Sequence, residues 1–149
     1  MRGNRLRAAA MLGAATALVA TAAPASATTT SSARPSPARA VAVDCFSQAR
    51  VRPDTFLLAC GDGNNRLVSL RWTQWGATSA VGSGLDSVND CLPYCAAGTF
   101  HSYPVEIRLD RPQSWQKHPG IQRFNRLRLV YTHGTPAGTD RIAYHTLWD

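Results

Sequence analysis

Apolar side chains recur at every second residue in three segments of the chain, and this pattern constrains the fold more than any other feature. The triplets are Val68, Leu70 and Trp72; Val105, Ile107 and Leu109; and Leu127, Leu129 and Tyr131. Period two places the members of a triplet on one face of a β-sheet. A short apolar run, Phe56 to Cys60, and a last segment, Ile142 to Leu147, have the length of further strands.

Glycine-rich turns separate these segments. Residues 61–65, Gly-Asp-Gly-Asn-Asn, tolerate the positive φ of a hairpin connection. Gly82 and Gly84 interrupt a weaker segment, 78–88, and predict a bulge or a close backbone approach. The best helical candidate, 113–126, contains Pro119-Gly120, which breaks a helix. The sequence therefore predicts an all-β domain over residues 42–149, a small antiparallel β-sandwich or barrel.

The first 27 residues have the three parts of a Sec-type secretory signal peptide. A basic start precedes an apolar run from Ala8 to Ala23, and Ala25-Ser26-Ala27 provides the cleavage sequence after Ala27. The apolar run is shorter than the roughly 20 residues needed to span a bilayer. Residues 28–41, rich in Ser, Thr, Pro and Ala, predict a disordered tether. We therefore expect a secreted, extracellular monomer without a membrane span.

Four cysteines, an even number, predict two disulfides in an exported chain. Four cysteines allow three connectivities. We expect Cys45–Cys60 and Cys91–Cys95, because Cys45 and Cys60 border apolar segments that can lie side by side, and Pro93 shapes the second pair into a tight loop. A zinc site is not expected, since the short 91–95 spacing has no second pair of ligands. We predict neither a metal nor a cofactor.

The charge of the whole chain overstates that of the domain. Sixteen Lys and Arg against nine Asp and Glu give a net charge of +7 and a pI near 9.9, which suggests a nucleic-acid partner. Five of these basic residues lie in the signal peptide and tether. From Asp44 onward, 11 basic residues remain against 9 acidic ones, which gives a net charge of +2. We therefore expect no specific nucleic-acid partner. The local positive cluster is Arg123, Arg126 and Arg128 with Lys117 and His118. It indicates either a solvated sheet face, which is the more common case, or a site for an anionic cell-wall polymer.

An ordered set of motifs runs from Asp44 to about Tyr131. It comprises Asp44-Cys45, Leu58-Ala59-Cys60-Gly61-Asp62-Gly63-Asn64, Trp72-x-x-Trp75-Gly76, Ala80-x-Gly82-x-Gly84, Asn89-Asp90-Cys91-x-Pro93-x-Cys95-Ala96-x-Gly98-x-Phe100 and Tyr103-Pro104-Val105. With this set the chain resembles an uncharacterised family of small exported two-disulfide proteins of high-GC Gram-positive (actinobacterial, Streptomyces-like) bacteria. The resemblance implies secretion and disulfide bonding, and it transfers no catalytic residue.

Four aromatic residues, Trp72, Trp75, Tyr94 and Tyr103, are the candidates for ligand binding. Trp72 and Trp75 are three positions apart, so on a regular strand they face opposite sides of the sheet and one of them is exposed. An exposed Trp beside Tyr94 or Tyr103 would stack on a sugar ring or an apolar partner, and core packing is the alternative for each. We expect a non-catalytic binding or structural protein whose partner is an extracellular protein or a cell-wall polymer.

A secreted hydrolase such as a ribonuclease is one alternative function. Glu106 would act as base, His145 or His133 as acid, and Arg141 or Arg128 would hold phosphate. The alternation around Glu106 instead indicates a solvated strand face opposite Arg126 or Arg128.

A secreted protease inhibitor is the other alternative. Leu92-Pro93-Tyr94 would be its rigid loop, and rigidity lowers the ordering cost of binding. A structural turn is the favoured interpretation of the same three residues. The Cys45–Cys60 spacing is similar to the first bridge of the subtilisin-inhibitor proteins, whereas the 91–95 spacing departs from theirs.

Asp62 to Asn65 carries oxygens of the kind found in calcium loops. An EF-hand would need Gly and Glu at the positions that Leu67 and Thr73 occupy. The segment therefore indicates a hairpin turn.

Overall fold

Eight strands and a 3₁₀ turn make up the regular structure of residues 39–148, the part of the chain that the computed structural model describes. The strands are β1 Ala42–Val43, β2 Ala49–Arg50, β3 Phe56–Leu57, β4 Asn65–Trp75, β5 Ala80–Asn89, β6 Phe100–Ser114, β7 Gln122–Tyr131 and β8 Ile142–Thr146; the 3₁₀ turn is Cys95–Ala97. The predicted signal peptide, residues 1–27, and most of the predicted tether lie outside the described residues.

The sheet is a simple antiparallel meander, in which each strand pairs with its neighbours in sequence. Six strands follow the order β3-β4-β5-β6-β7-β8, and β1 and β2 form a separate pair. The glycine-rich segment 61–65 turns the chain from β3 to β4, where the Asn64 N–H donates to Asp62 Oδ1 at 3.1 Å. Residues 115–121 form the β6–β7 hairpin, as the break at Pro119-Gly120 predicts. The predicted all-β class is confirmed.

The centre of the core lies between β6 and β7. The register pairs Val105 with Tyr131, Ile107 with Leu129 and Leu109 with Leu127, and all six side chains are buried. Two of the three predicted triplets are thus confirmed, because both strands keep a regular period of two over these residues.

The two residues just before β1 bridge the two sides of the curled sheet. The Ala40 N–H donates to Gly76 O at 3.3 Å, just after β4, while the Val41 N–H donates to Gln122 O at 2.9 Å in β7. The Trp75 indole N–H donates to Ala40 O at 2.7 Å. Ala40 and Val41 are buried, so the last two residues of the predicted tether belong to the folded part.

Strand β4 departs from the predicted pattern because it contains two β-bulges. Register shifts fall between Val68 and Arg71 and between Trp72 and Gln74, and each adds one residue to β4 relative to β5. An added residue reverses the alternation of faces, so the first predicted triplet is wrong: Leu67 is buried in place of Val68.

The bulges also bring Trp72 and Trp75 to the same face of the sheet. Their ring centroids lie 4.6 Å apart in an edge-to-face arrangement, and the prediction that they face opposite sides is wrong. Opposite this part of β4, a Cβ on Gly82 would lie 2.5 Å from Arg71 O, so the predicted close backbone approach is confirmed.

Both predicted disulfides are present. Cys45–Cys60 ties the segment after β1 to the end of the β3 segment, and Cys91–Cys95 closes a five-residue loop between β5 and β6. Within residues 39–148, the structure contains no helix long and apolar enough to cross a membrane.

Candidate functional site

A short loop projects from the end of the sheet where β5 turns into β6. It is defined by residues 91–95 and called here the clamped loop. Two of its side chains are large, apolar and exposed: Leu92 is 70% and Tyr94 is 64% accessible to solvent. The Cys91–Cys95 disulfide joins its two ends. Exposing apolar surface gives no stability to the fold, so these two side chains require another explanation.

Asn89, the last residue of β5, holds both ends of the clamped loop. Its side-chain amide donates to Cys95 O at 2.8 Å and to Asn64 Oδ1 at 2.9 Å. Its Oδ1 accepts the Cys91 N–H at 3.0 Å. Asn89 is 9% exposed, so these three bonds are shielded from water and fix the loop on the sheet.

Asp90 adds a second set of bonds at the base of the loop. Its Oδ1 accepts the backbone N–H groups of Leu92 at 3.0 Å and Thr99 at 2.9 Å, while Oδ2 lies 2.9 Å from His101 Nε2. The hydrogen bond with His101, followed by those of the two backbone N–H groups, lowers the pKa of Asp90 to about 2. The carboxylate therefore remains ionised, and the loop anchored, throughout the physiological pH range.

Gly98 allows the chain to return under the loop. A Cβ at this position would clash with Asn89 Oδ1 and would lie 2.8 Å from the Cys91 backbone nitrogen. Only glycine fits while Asn89 keeps its bonds to Cys91 and Cys95. Asn89, Asp90 and Gly98 are organisers of the site that the sequence analysis missed as functional residues. The signal was present, since Asn and Asp side chains commonly bond the backbone two residues onward.

A cavity of about 470 Å³ lies beside the clamped loop. Leu92 forms part of its wall, with His101 and Tyr103 from β6 and Pro136 from the β7–β8 connection. Tyr103, one of the four predicted binding residues, is half-buried here, and Tyr94, another, projects from the loop itself. The structure thus places Tyr94 on the clamped loop and Tyr103 in the wall of the cavity next to it.

The two tryptophans of the predicted binding set lie elsewhere. Trp75 is 6% exposed and packs on Phe124, with ring centroids 5.7 Å apart. Trp72 is half-buried, and its indole N–H donates to Pro53 O at 2.7 Å. Both indoles pack with the core, so they do not form an aromatic surface with Tyr94 and Tyr103.

A buried polar group lies under the cavity. The Tyr103 ring packs on Tyr131 at 6.3 Å, and the Tyr131 hydroxyl donates to Asp86 Oδ2 at 2.6 Å. Asp86 is fully buried, and within the described residues its Oδ1 has no hydrogen-bond partner. Burial raises the pKa of Asp86, and burial likewise lowers the pKa of His145, which faces the same interior. Both shifts favour the neutral forms.

Asp86→Asn is expected to raise the free energy of unfolding at pH 7 and to raise it less below pH 3.8, because asparagine removes the charge that burial disfavours. The pKa of Asp86 in the folded state lies above the ordinary value of 3.8. The fold is therefore most stable with respect to this carboxyl below pH 3.8, and it loses stability as the pH rises through the folded-state pKa. Asparagine keeps an acceptor for Tyr131 without the charge. Urea unfolding at pH 7 and below pH 3.8 measures the effect. A loss of stability at pH 7, or an equal gain at both pH values, contradicts this assignment.

Of the predicted hydrolase residues, Glu106 and Arg128 line one cavity on the outer face of the sheet, but His145 does not join them. Glu106 lies opposite Val130, and Val130 lies opposite Ile142, so these three residues share one face of the sheet. His145 lies opposite the buried Leu127, on the other face. The predicted position of Glu106 opposite Arg126 or Arg128 is therefore wrong.

The predicted positive cluster is only partly formed. Arg123 is 7% exposed and donates to Trp148 O at 2.9 Å, so it is not part of a surface patch. Arg126 and Arg128 share the outer face of β7, as predicted, opposite Asp110 and Arg108. Among the described residues, no group of three His, Cys, Asp or Glu side chains is placed to hold a metal ion.

A second exposed apolar pair lies beside the Cys45–Cys60 disulfide. Phe46 is 75% and Val51 is 47% exposed, and both border a cavity of about 380 Å³. They are five positions apart in a segment whose only strand is two residues long, whereas Leu92 and Tyr94 lie within one disulfide-closed turn. This pair therefore provides a matched comparison for the clamped loop.

Comparison of the chain with protein-family models, with curated proteins and with solved structures finds no match. The fold and the site together define a class: a disulfide-stabilised all-β domain that presents one clamped, apolar loop. Its function is inferred from its own residues.

Proposed function

We propose that this protein is a secreted, non-catalytic binding domain whose clamped loop contacts another extracellular protein. The observation that carries the proposal is the exposure of Leu92 and Tyr94 on a loop fixed by a disulfide and by the bonds of Asn89 and Asp90. A loop that is already ordered loses little conformational entropy when a partner binds. Tyrosine is also among the residue types enriched at the energetic centres of protein interfaces.

The cavity beside the loop has room for a side chain of a protein partner. Its wall combines Leu92 and Pro136 with the polar groups of His101 and Tyr103. An apolar side chain of a partner would fill it, while Leu92 and Tyr94 contact the surrounding surface. Secretion is part of the proposal, supported by the predicted signal peptide and by the two disulfides, which form and persist in oxidising compartments. Membership of an exported actinobacterial family remains a prediction from the motifs.

The clamped loop is expected to be required for capture of an extracellular protein. Immobilised protein is exposed to the secreted proteins of the producing organism, and retained polypeptides are identified by mass spectrometry. Leu92→Ser/Tyr94→Ser removes the apolar contact and is expected to abolish specific retention, since two central side chains commonly dominate an interface. The matched control, Phe46→Ser/Val51→Ser, removes the other exposed pair and is expected to retain the same polypeptides.

Several results would contradict the proposal. Wild-type protein that retains no polypeptide excludes a secreted protein partner, and loss of retention in the Phe46→Ser/Val51→Ser control alone moves the site to the Cys45–Cys60 segment. Retention of a protease whose activity falls on binding would favour the inhibitor alternative, which uses the same rigid loop.

A further inference from the structure

Four arginines lie around one exposed aromatic ring on the outer face of β6, β7 and β8, far along the sheet from the clamped loop. The register places Arg108 opposite Arg128, and Arg128 opposite Tyr144, which is 58% exposed. In the next row Arg126 lies opposite Asp110 and Thr146. The surface, called here the arginine face, comprises Arg108, Arg111, Arg126, Arg128 and Tyr144.

The carboxylates on this face do not balance the arginines. Arg126 binds Asp110 through two bonds of 2.7 and 2.8 Å, and Arg108 Nε lies 3.3 Å from the same carboxylate. Glu106, the other acid on this face, pairs with Val130. Within the described residues Arg128 forms no ion pair. This face thus has four guanidinium groups and two carboxylates, an excess of two positive charges. The excess equals the net charge of the domain from Asp44 onward.

The pairing of Arg108 with Arg128 places two like charges opposite one another, and the carboxylates of Asp110 and Glu106 offset them only in part. Like charges directly opposite one another on neighbouring strands destabilise the pair. An oxyanion between the two guanidinium groups would relieve this repulsion, because each planar group donates two parallel N–H bonds to a carboxylate, phosphate or sulfate. The surroundings exclude part of the solvent, since Arg128 is half-buried between strands β6 and β8.

The arginines are also distributed between two cavities. One, of about 140 Å³, is lined by Arg108 and Arg128 together with the carboxylate-bearing Glu106. The other, of about 290 Å³, is lined by Arg111 and Arg126 together with Tyr144 and Thr146. Each cavity thus has one pair of guanidinium groups, and both lie along the same strands. Two such pairs fit successive anionic groups of one polymer better than they fit a single small anion.

Tyr144 indicates the chemistry between the charges. The Arg126 guanidinium lies 5.4 Å from its ring centroid, so a cation–π contact orients the ring, while the phenol remains exposed. A sugar ring has an apolar face that packs on an aromatic side chain and hydroxyls that bond to a phenol. Single-stranded nucleic acid uses several aromatic rings in succession, one for each stacked base, whereas the arginines here surround one ring.

We propose that the arginine face binds an anionic polysaccharide. Its successive carboxylate, phosphate or sulfate groups occupy the two cavities, and a sugar ring packs on Tyr144. This site is separate from the clamped loop and does not depend on the function proposed for that loop.

Affinity for defined polymers tests this inference. Binding of a carboxylated polysaccharide (polygalacturonate), a sulfated polysaccharide (dextran sulfate) and single-stranded DNA is measured by titration at ionic strengths up to about 0.15 M. Arg108→Gln/Arg128→Gln is expected to weaken polysaccharide binding at least tenfold and to reduce its salt dependence, because fewer ion contacts form. The control, Arg52→Gln/Arg66→Gln, removes two exposed arginines from the β2–β3 connection and β4, and is expected to change affinity less than twofold.

Tyr144→Ala provides a second readout. It is expected to weaken polysaccharide binding severalfold without changing the salt dependence, because the ring contributes packing and no charge. Equal losses in the two arginine double variants would show attraction by net charge alone and overturn the inference. Absence of binding to both polysaccharides, or tighter binding to single-stranded DNA than to either, would also overturn it. A preference between the two polysaccharides identifies the anionic group.

Discussion

Phe124→Ala is expected to lower the free energy of unfolding by about 4 kcal/mol, the middle of the range for a buried aromatic residue. Phe124 is fully buried, its ring packs edge-to-face on Trp75, and its backbone N–H donates to Val41 O at 2.8 Å. It therefore lies at the point where β1 joins β7, and the cavity left by alanine would open between these strands and β4. Urea unfolding, followed by tryptophan fluorescence, measures the change.

Phe100→Ala is the control for this prediction. Phe100 is 40% exposed and its ring lies 4.7 Å below the Arg66 guanidinium, so its loss is expected to cost about 1 kcal/mol or less. Similar losses for the two phenylalanines would contradict the assignment of Phe124 to the core and of Phe100 to the surface.

Cys45→Ser/Cys60→Ser is expected to lower the free energy of unfolding by about 3 kcal/mol. The disulfide closes a loop with a sequence separation of 15 residues, and its loss frees the unfolded chain over that length. In the folded state it also holds the β3 segment, which contributes Phe56 and Leu58 to the core. Equilibrium urea unfolding, with the wild type and the variant at equal concentration, gives the difference.

Cys91→Ser/Cys95→Ser is the matched comparison, because this disulfide closes five residues and is worth about 2 kcal/mol in the same chain-entropy account. We expect this variant to remain folded and to lose order only in the clamped loop. A larger loss of stability from Cys91–Cys95 than from Cys45–Cys60 would contradict the roles given to the two disulfides.

The fold class was predictable because β6 and β7 follow simple rules. Their apolar residues alternate without interruption from Val105 to Leu109 and from Leu127 to Tyr131, and the strands pair in that register. The prediction failed in β4, where two bulges change which residues share a face. A bulge arises from the fit between neighbouring strands, so the sequence of β4 by itself does not show where the alternation reverses.

The candidate site was predictable only in part. Tyr94 could be chosen from its place between two cysteines, but the burial of Trp75 depends on Ala40, a residue 35 positions away that accepts its indole N–H. Arg123 likewise meets its partner carbonyl at Trp148, 25 positions away. Contacts of such separation are set by the topology of the sheet and leave no local trace in the sequence.

The affinity of the captured partner for the clamped loop tests the central claim most directly. Purified partner is titrated against the wild type, Leu92→Ser/Tyr94→Ser and Phe46→Ser/Val51→Ser, with the fold of each checked by its unfolding midpoint. We predict a loss of at least 100-fold in affinity for the first variant, which corresponds to about 2.8 kcal/mol, and less than a twofold change for the second. Equal affinities for all three proteins would show that the clamped loop does not bind the partner.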